Sequence, residues 1–361
     1  MSLLILAKCD QINDVVTAPE EKIDNIGLPI DEDAIDLPVI SDEHPLDERA
    51  MLEKGLEKQR DLYKLGFVSN DFKHLKTDIV YYPLDDTFGY SSAYQVPNNQ
   101  TFFKFEAGTS FESSLYDSMM DSFVEPNEIQ HETLQMMYGE YIEEATGDYY
   151  IIAKEDDLTY IMQTGSKDEG YTEEIMEKIG ATFRSENDGA FDPFYQHFSL
   201  DLSKIKFPKM NEDRVAIHDT KVSVHETAAS EIQITYMLSE QDTIEYQIND
   251  TKTSLKDEYK EVDTSRILKD LNVTEYKSNE NDNHHLFHWT DEDYEYTLAV
   301  TLQNEDIIEN EEIYEIIESA TQDERSFEHK EIFDAINEMP KRTKAEKSLT
   351  KLLKNINKDS E

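Results

Sequence analysis

An internal echo restricts this chain more than any other feature. "KEDDLTYIMQTG" at 154–165 and "WTDEDYEYTLAV" at 289–300 each hold an acidic tetrad, Glu155-Asp156-Asp157-Leu158 in the first and Asp291-Glu292-Asp293-Tyr294 in the second. Strand-like text flanks both, "DYYIIA" and "TYIMQT" around one, "HHLFHW" and "YEYTLAVTL" around the other. Turn residues between such runs predict hairpins. Downstream, Thr172-Glu173-Glu174-Ile175 with Ile179 parallels Asn310-Glu311-Glu312-Ile313 with Ile317. Thr172 and Asn310 suit helix N-caps, the paired Glu residues favour the positive end of a helix dipole, and the Ile pairs four residues apart make one apolar face. A weaker parallel sets "IVYYP" at 79–83 against "KIKFP" at 204–208, and "FFKFEA" at 102–107 against "IQITYM" at 232–237. A unit of about 130 residues used twice accounts for these matches.

Each unit is then a mostly antiparallel sheet with a helix after its last strands, because antiparallel sheets leave one face for a helix and no regular helices separate these strands. The expected class is α+β: two tandem repeats of a sheet-and-helix domain, at 78–185 and 200–320, plus flanking helices. A helix is expected over 47–66, where Leu52, Leu56, Leu62 and Leu65 fall near helical spacing before Gly66.

The remaining segments are read from charge. Residues 10–46 carry eleven acids against the single base Lys22, with Pro19, Pro29, Pro38 and Pro45, which predicts an extended, disordered stalk. Ahead of it, residues 1–9 end in Leu6-Ala7-Lys8-Cys9, which resembles the close of a bacterial lipoprotein signal, with Lys8 standing where that pattern has a small residue. The resemblance implies lipidation at Cys9 and attachment to the outer side of the cell membrane; a genuine start at Met1 would instead imply a cytoplasmic protein. Cys9 is the only cysteine, so no intrachain disulfide and no Cys-rich zinc site is expected. The whole chain has 80 Asp and Glu against 34 Lys and Arg, a net charge of −46. Such a body repels nucleic acid, and the charge also keeps a protein hydrated without marking a site.

"LFHWTDEDYEYTLAV" followed by "ENEEIYEIIESA" resembles the end of a Gram-positive extracytoplasmic domain family of unknown function. The resemblance is good over 230–320 and faint over 78–183. It implies a domain found in bacterial lipoproteins and at the outer ends of membrane proteins such as anti-sigma factors, built in the half-barrel manner of lipoprotein carriers and envelope regulators.

Local chemistry is sparse. In a strand, His284 and His288 share a face with Leu286, while His285, Phe287 and Trp289 share the other, an imperfect chelate with no third ligand in view. Asp156-Asp157 and Asp291-Asp293 lack the glycine of an EF-hand calcium loop and read as solvated turns. Trp289 reads as core. There is no nucleophile elbow, phosphate loop, zinc-protease motif or dinucleotide fingerprint. No catalytic residue, cofactor or metal is expected. At 327–358 a C-terminal helical segment is expected. From Lys341 to Lys358, seven bases accompany one acid, Glu346, and Ala345, Leu349, Leu352, Leu353 and Ile356 lie on one stripe after Pro340. This basic amphipathic helix either docks on the second domain or meets an anionic membrane, wall polymer or acidic partner. The reading is a non-enzymatic, membrane-tethered extracytoplasmic lipoprotein of a Gram-positive bacterium, binding a protein, envelope polymer or apolar ligand. The alternative is a hydrolase whose Asp/Glu site has no local signature.

Overall fold

Alternation of buried and half-exposed side chains, the mark of a strand with one face on a core, runs through most strands of the computed structural model. It is strict in β3 and β11 below, where Phe88, Tyr90 and Tyr94, and Ile232, Ile234 and Tyr236, point inward. The structure describes residues 47–65, 73–95, 102–109, 123–129, 131, 134–141, 149–165, 173–184, 192, 194, 197–211, 214–225, 230–239, 241–250, 259–262, 266–268, 271–279, 283–303, 308, 310–321 and 342–359. Cys9 and the stalk at 10–46 lie outside the described residues, as do 322–341.

The chain enters through α1 (Glu48–Lys58), a 3-10 turn (Gln59–Asp61) and the short strand β1 (Lys64–Leu65). It then forms β2 (Lys73–Tyr82), β3 (Thr87–Gln95), β4 (Phe102–Gly108), β5 (Phe123–Ile129), β6 (Gln135–Tyr141), β7 (Tyr149–Glu155) and β8 (Leu158–Gly165), followed by α2 (Glu173–Gly180) and β9 (Phe183–Arg184). After a second 3-10 turn (Leu202–Lys204) come β10 (Ala216–His225), β11 (Ser230–Met237), β12 (Thr243–Asn249), β13 (Tyr259–Glu261), β14 (Arg266–Leu268), β15 (Leu271–Ser278), β16 (His284–Thr290) and β17 (Glu295–Thr301). Two further helices follow among the described residues, α3 (Asn310–Thr321) and α4 (Lys344–Asp359).

The described strands from β2 to β17, apart from β9, form one fifteen-stranded antiparallel sheet in the order β13-β15-β16-β17-β12-β11-β10-β2-β3-β4-β8-β7-β6-β5, with β14 paired to β15. The class is α+β with a mostly antiparallel sheet. From the central β2–β10 pair, each half lays three consecutive strands outward, crosses to its far edge, and returns strand by strand to pair with the third. A helix follows each last strand. The expected units at 78–185 and 200–320 therefore meet edge to edge, and the described residues fall in one compact unit spanning Leu37–Glu361.

The acidic tetrads are hairpin turns. Glu155 pairs with Leu158, and Asp156 takes a left-handed φ of 53°, which an Asp tolerates because its short side chain bonds locally. The second turn is longer, with Thr290 paired to Glu295, and Asp291 Oδ1 accepts from the backbone of Asp293 at 2.9 Å and of Tyr294 at 2.8 Å.

Three expectations need correction. The helix expected over 47–66 stops at Lys58, and the backbone is extended at Leu62; Lys64 and Leu65 pair with β9 instead. Burial explains the change: the Lys64 ammonium sits 2.9 Å from Asp192, which is fully buried and also accepts from Tyr90 Oη and the Phe194 amide. A buried ion pair persists only when its remaining lone pairs are satisfied in this way. Second, "KIKFP" at 204–208 is no strand. It leaves the 3-10 turn as irregular backbone, sinking Ile205 and Phe207 into the core while Arg49 stacks its guanidinium 4.6 Å from the Phe207 ring. By strand order β2 corresponds to β10, and β4 to β12 rather than to β11. Third, the packing of α4 among the described residues is on α2 in the first half, where docking on the second was expected.

The inner face of the sheet is covered. α1 lies against both β2 and β10, α2 buries Met176 and Ile179, and α3 buries Ile313 and Ile317 and sets Tyr314 edge-on to Phe287. Asp47 caps α1, accepting from the Ala50 amide at 3.1 Å. At its other end Lys54 and Lys58 clamp Asp86, the left-handed residue of the β2–β3 turn, at 2.8 and 2.9 Å; these ammonium groups hold the Asp86 carboxyl well below the usual range. Between these ends Gly55 permits close approach, since a Cβ there would lie 2.9 Å from the Tyr81 Cβ. Gly55→Leu is expected to cost about 2 kcal/mol by overpacking, read as a lower urea midpoint. Gly55→Ala is expected to cost less, since higher helix propensity returns up to about 1 kcal/mol. An unchanged midpoint for the Leu variant would show that α1 is not seated on β2.

Candidate functional site on the outer face of the sheet

With the inner face filled, the other face is the candidate, and on it Lys221, Glu231, Gln233, Thr235 and Gln247 are half-exposed and Glu245 exposed, while Ser223, Asn249, Glu295 and Thr297 are buried. Register places them in rows. One row runs Asp78, Ser223, Glu231, Asn249, Glu295 across β2, β10, β11, β12 and β17, and the next runs Val80, Lys221, Gln233, Gln247, Thr297 and on to His288. A third carries Asp219, Thr235 and Glu245. Rows of this kind arise because alternate residues of each strand share a face.

The rows are stitched by side-chain hydrogen bonds. Ser223 donates to Asp78, Lys76 pairs with Asp78 at 2.9 Å, Thr297 donates to Gln247 Oε1 at 3.2 Å, and His288 meets Glu295. The result is a polar, pre-ordered surface that crosses from one half to the other at β2–β10.

Four perturbed groups lie on this face from β2 to β12. Burial pushes the Asp219 carboxyl up, with His218, 3.6 Å away, and the Thr235 hydroxyl pulling it back. Glu245 is raised by loss of solvation among its neighbours and by the Asp219 charge. His225 is lowered by burial and by Lys76, and Tyr82, its ring 5.8 Å from that of His218, is raised by burial and by Asp219. Clusters of shifted groups of this kind mark candidate sites. Asp219 and Glu245 are separated by β11, so they stand about 10 Å apart at the usual strand spacing. Sequence reading missed them, because each is one polar residue in an ordinary alternating strand.

The histidine triplet lies on β16 as its alternation implies. His284 meets Thr301 Oγ1 at 2.8 Å and Tyr259 Oη at 3.1 Å, His285 meets Glu275 at 3.0 Å, and His288 meets Glu295. The three rings thus have three separate sets of partners, and among the described residues no group of three His, Cys, Asp or Glu side chains converges as a metal site. Leu286, on the face of His284 and His288, is buried. Asp291 is bound up with Lys206 at 2.8 Å and Tyr296 Oη at 3.1 Å, and Asp293 pairs with Lys204 at 2.7 Å.

Trp289 belongs to the core, stacked on Tyr296 at 5.7 Å and 9° and tilted against Tyr246 at 6.2 Å. With Lys206, Leu271 and Asp291 these rings line a cavity of about 20 Å³. That space suits one water and no larger guest. No described helix is long and apolar enough to cross a membrane.

Asp219→Asn tests the crossing. A carboxyl whose folded pKa lies above its unfolded value costs stability while charged and returns it as pH falls through the folded pKa. The Asn variant is therefore expected to melt higher than wild type at pH 7, and the gap should close on acidification. A variant that melts lower at pH 7 would show that the Asp219 charge is well solvated or paired.

No family model matches the chain, and no curated protein does. Among solved structures, the crystal structure of MucB in complex with MucA(peri) is 7% identical, covering 76% of this chain and 97% of that one, with a TM-score of 0.19. The MucA/MucB complex of Pseudomonas aeruginosa is 8% identical, covering 70% and 93%, with a TM-score of 0.17. Scores this low establish no common fold.

Proposed function

We propose that this protein is a non-enzymatic extracytoplasmic binding protein, tethered through a lipidated Cys9, that engages a partner protein on the outer face of its sheet. The observation that carries the reading is the division of the two faces. The inner face is filled by helices and by the 201–210 segment, and its aromatic cavity holds about 20 Å³, which speaks against an apolar guest there. On the outer face β2, β10, β11, β12 and β17 carry a hydrogen-bonded set of polar side chains, whereas the same side of β7 and β8 buries Tyr150, Ile152 and Ile161. In this reading the halves are two copies of one sheet-and-helix unit, a view supported by their shared strand order. Joining them through β2 and β10 brings Lys76 and Asp78 of the first half beside the polar rows of the second. The family resemblance over 230–320 and the Leu6-Ala7-Lys8-Cys9 pattern motivate the Gram-positive envelope location.

The raised carboxyls of Asp219 and Glu245 favour one other reading, a hydrolase. They lie on a sheet face rather than facing each other across a cleft, which fits a recognition role better.

Photo-activatable residues placed at Gln233, Gln247 and Thr235, in cells expressing the gene from its own locus, test the binding role. Discrete cross-linked species are expected from these positions and not from Lys54 or Lys209. Wild type should fractionate with membranes and Cys9→Ser should be released. Absence of discrete adducts at all three outer positions would refute the surface, and equal solubility of the two proteins would refute the tether.

A further inference from the structure

The link between the two halves is fastened by a pair of stacked histidines. Between β9 and the second 3-10 turn, the described residues Asp192, Phe194 and 197–200 lead from the first half to the second. Asp192 is held in the first half by Lys64 and Tyr90. Ser199 is held in the second, where its amide donates to Ser230 Oγ at 2.8 Å and its hydroxyl to Asp250. Between them the Phe198 amide donates to the Phe194 carbonyl at 2.9 Å, and the His197 ring lies parallel on that of His74, 5.3 Å away and 6° from coplanar.

His74 is buried at the start of β2, beside the bulge between His74 and Lys76 and close to the seam where β2 pairs with β10. Its Nε2 meets Thr77 Oγ1 at 2.7 Å, and its Nδ1 is buried with no hydrogen-bond partner among the described residues. An imidazolium has two N–H donors to place, so this site suits the neutral ring. Tyr94 of β3 tilts against the ring at 5.6 Å, His197 and Asp192 face it from the link, and His225 acts on it from β10. Of these side chains Asp192 alone favours a cation, and it is already engaged by Lys64, Tyr90 and the Phe194 amide. Burial, then His197, then His225 lower His74 to about 4, against Asp192 and the Lys76 backbone.

We propose that the His74–His197 stack is an acid-released latch, which holds residues 197–200 against the start of β2 and lets them lift away when His74 takes up a proton, while the sheet stays paired. Two stacked imidazolium rings repel, and a buried cation with an unplaced donor is stabilised by reaching water. Because the closed state lowers the affinity of His74 for a proton, closure is favoured above about pH 6.5 and loses that support as pH falls towards about 4. Full return of His74 to its ordinary value of 6.5 on release would multiply the opening equilibrium about twentyfold between about pH 7 and 5. The latch belongs to the inner side of the sheet and does not rest on the binding role proposed for the outer face.

Amide exchange of the full-length protein, corrected for the intrinsic effect of pH, reads the opening. In wild type the Phe198 and Ser199 amides should lose at least about fivefold more protection between about pH 7 and 5 than the Ile234 amide of β11. His74→Phe keeps a ring to stack and His74→Gln keeps a donor for Thr77, but neither takes up a proton. Either variant, once folded, should hold the protection of Phe198 and Ser199 at about pH 5 to within about twofold of its value at about pH 7. In wild type the carbon-13-labelled His74 ring should gain its charge in step with the loss of protection, a measurement that needs no variant to fold. The proposal is overturned if Phe198 and Ser199 stay protected at pH 5, if Ile234 loses as much protection as they do, if a folded His74 variant loses as much as wild type, or if His74 takes up its proton while the two amides stay protected.

Discussion

Everything in this fold depends on one strand pair, β2 with β10. Six residue pairs, from Thr220 opposite Tyr81 to His225 opposite Lys76, join two sheets that would otherwise each end in an open edge. An unpaired edge presents a row of backbone donors and acceptors ready to pair with another chain. Pairing the first strand of each half hides both edges at once. α1 then spans the seam, anchored at one end by Glu48, which accepts from Tyr236 Oη at 3.1 Å, and by Arg49, which donates to the Ile205 carbonyl at 3.1 Å. The clamp on Asp86 fixes its other end.

The same pairing dictates what each face can do. With period-two alternation, the register that buries Ile79 and Val222 inside places Val80 and Lys221 outside. A one-residue slip would exchange the faces and bury Asp78 and Lys221. Burial near the seam is deep enough to shift inner groups as well: His74, stacked on His197 at 5.3 Å and 6°, is lowered to about 4 by burial and by its histidine neighbour. Outside, Asp219 and His225 lie towards opposite ends of β10 and Glu245 on β12, all in the second half, and first-half groups reach them only through Tyr82 and Lys76 of β2.

Local signals were legible in the sequence, and long-range ones were not. The turn at Asp156-Asp157, the turn at Asp291–Tyr294 and the helix beginning at Asn310 all declare themselves through turn chemistry, alternation and capping, which act over a few residues. The segment at 204–208 misled because Lys-Ile-Lys-Phe alternates as a strand does, although Pro208 cannot donate to a ladder. The apolar stripe of α4 announced a buried face but not which surface receives it. Glu346 looked like a stray acid, and only its position between Thr343 and Arg184 gives it a role. The outer-face candidates were invisible for the same reason, since Asp219 and Glu245 become neighbours only through β11.

The most direct measurement is a disulfide across the seam. In a Cys9→Ser background, cysteines at Val80 and Lys221 face each other on directly opposed residues, within the Cβ separation typical of cross-strand pairs. Mild oxidation of the monomer should form an intramolecular bond, seen as loss of two hydrogens by mass, and form it faster than in the diagonal pair Val80 and Ser223. Failure of the direct pair to close, or faster closure of the diagonal one, would contradict a single sheet joined in this register.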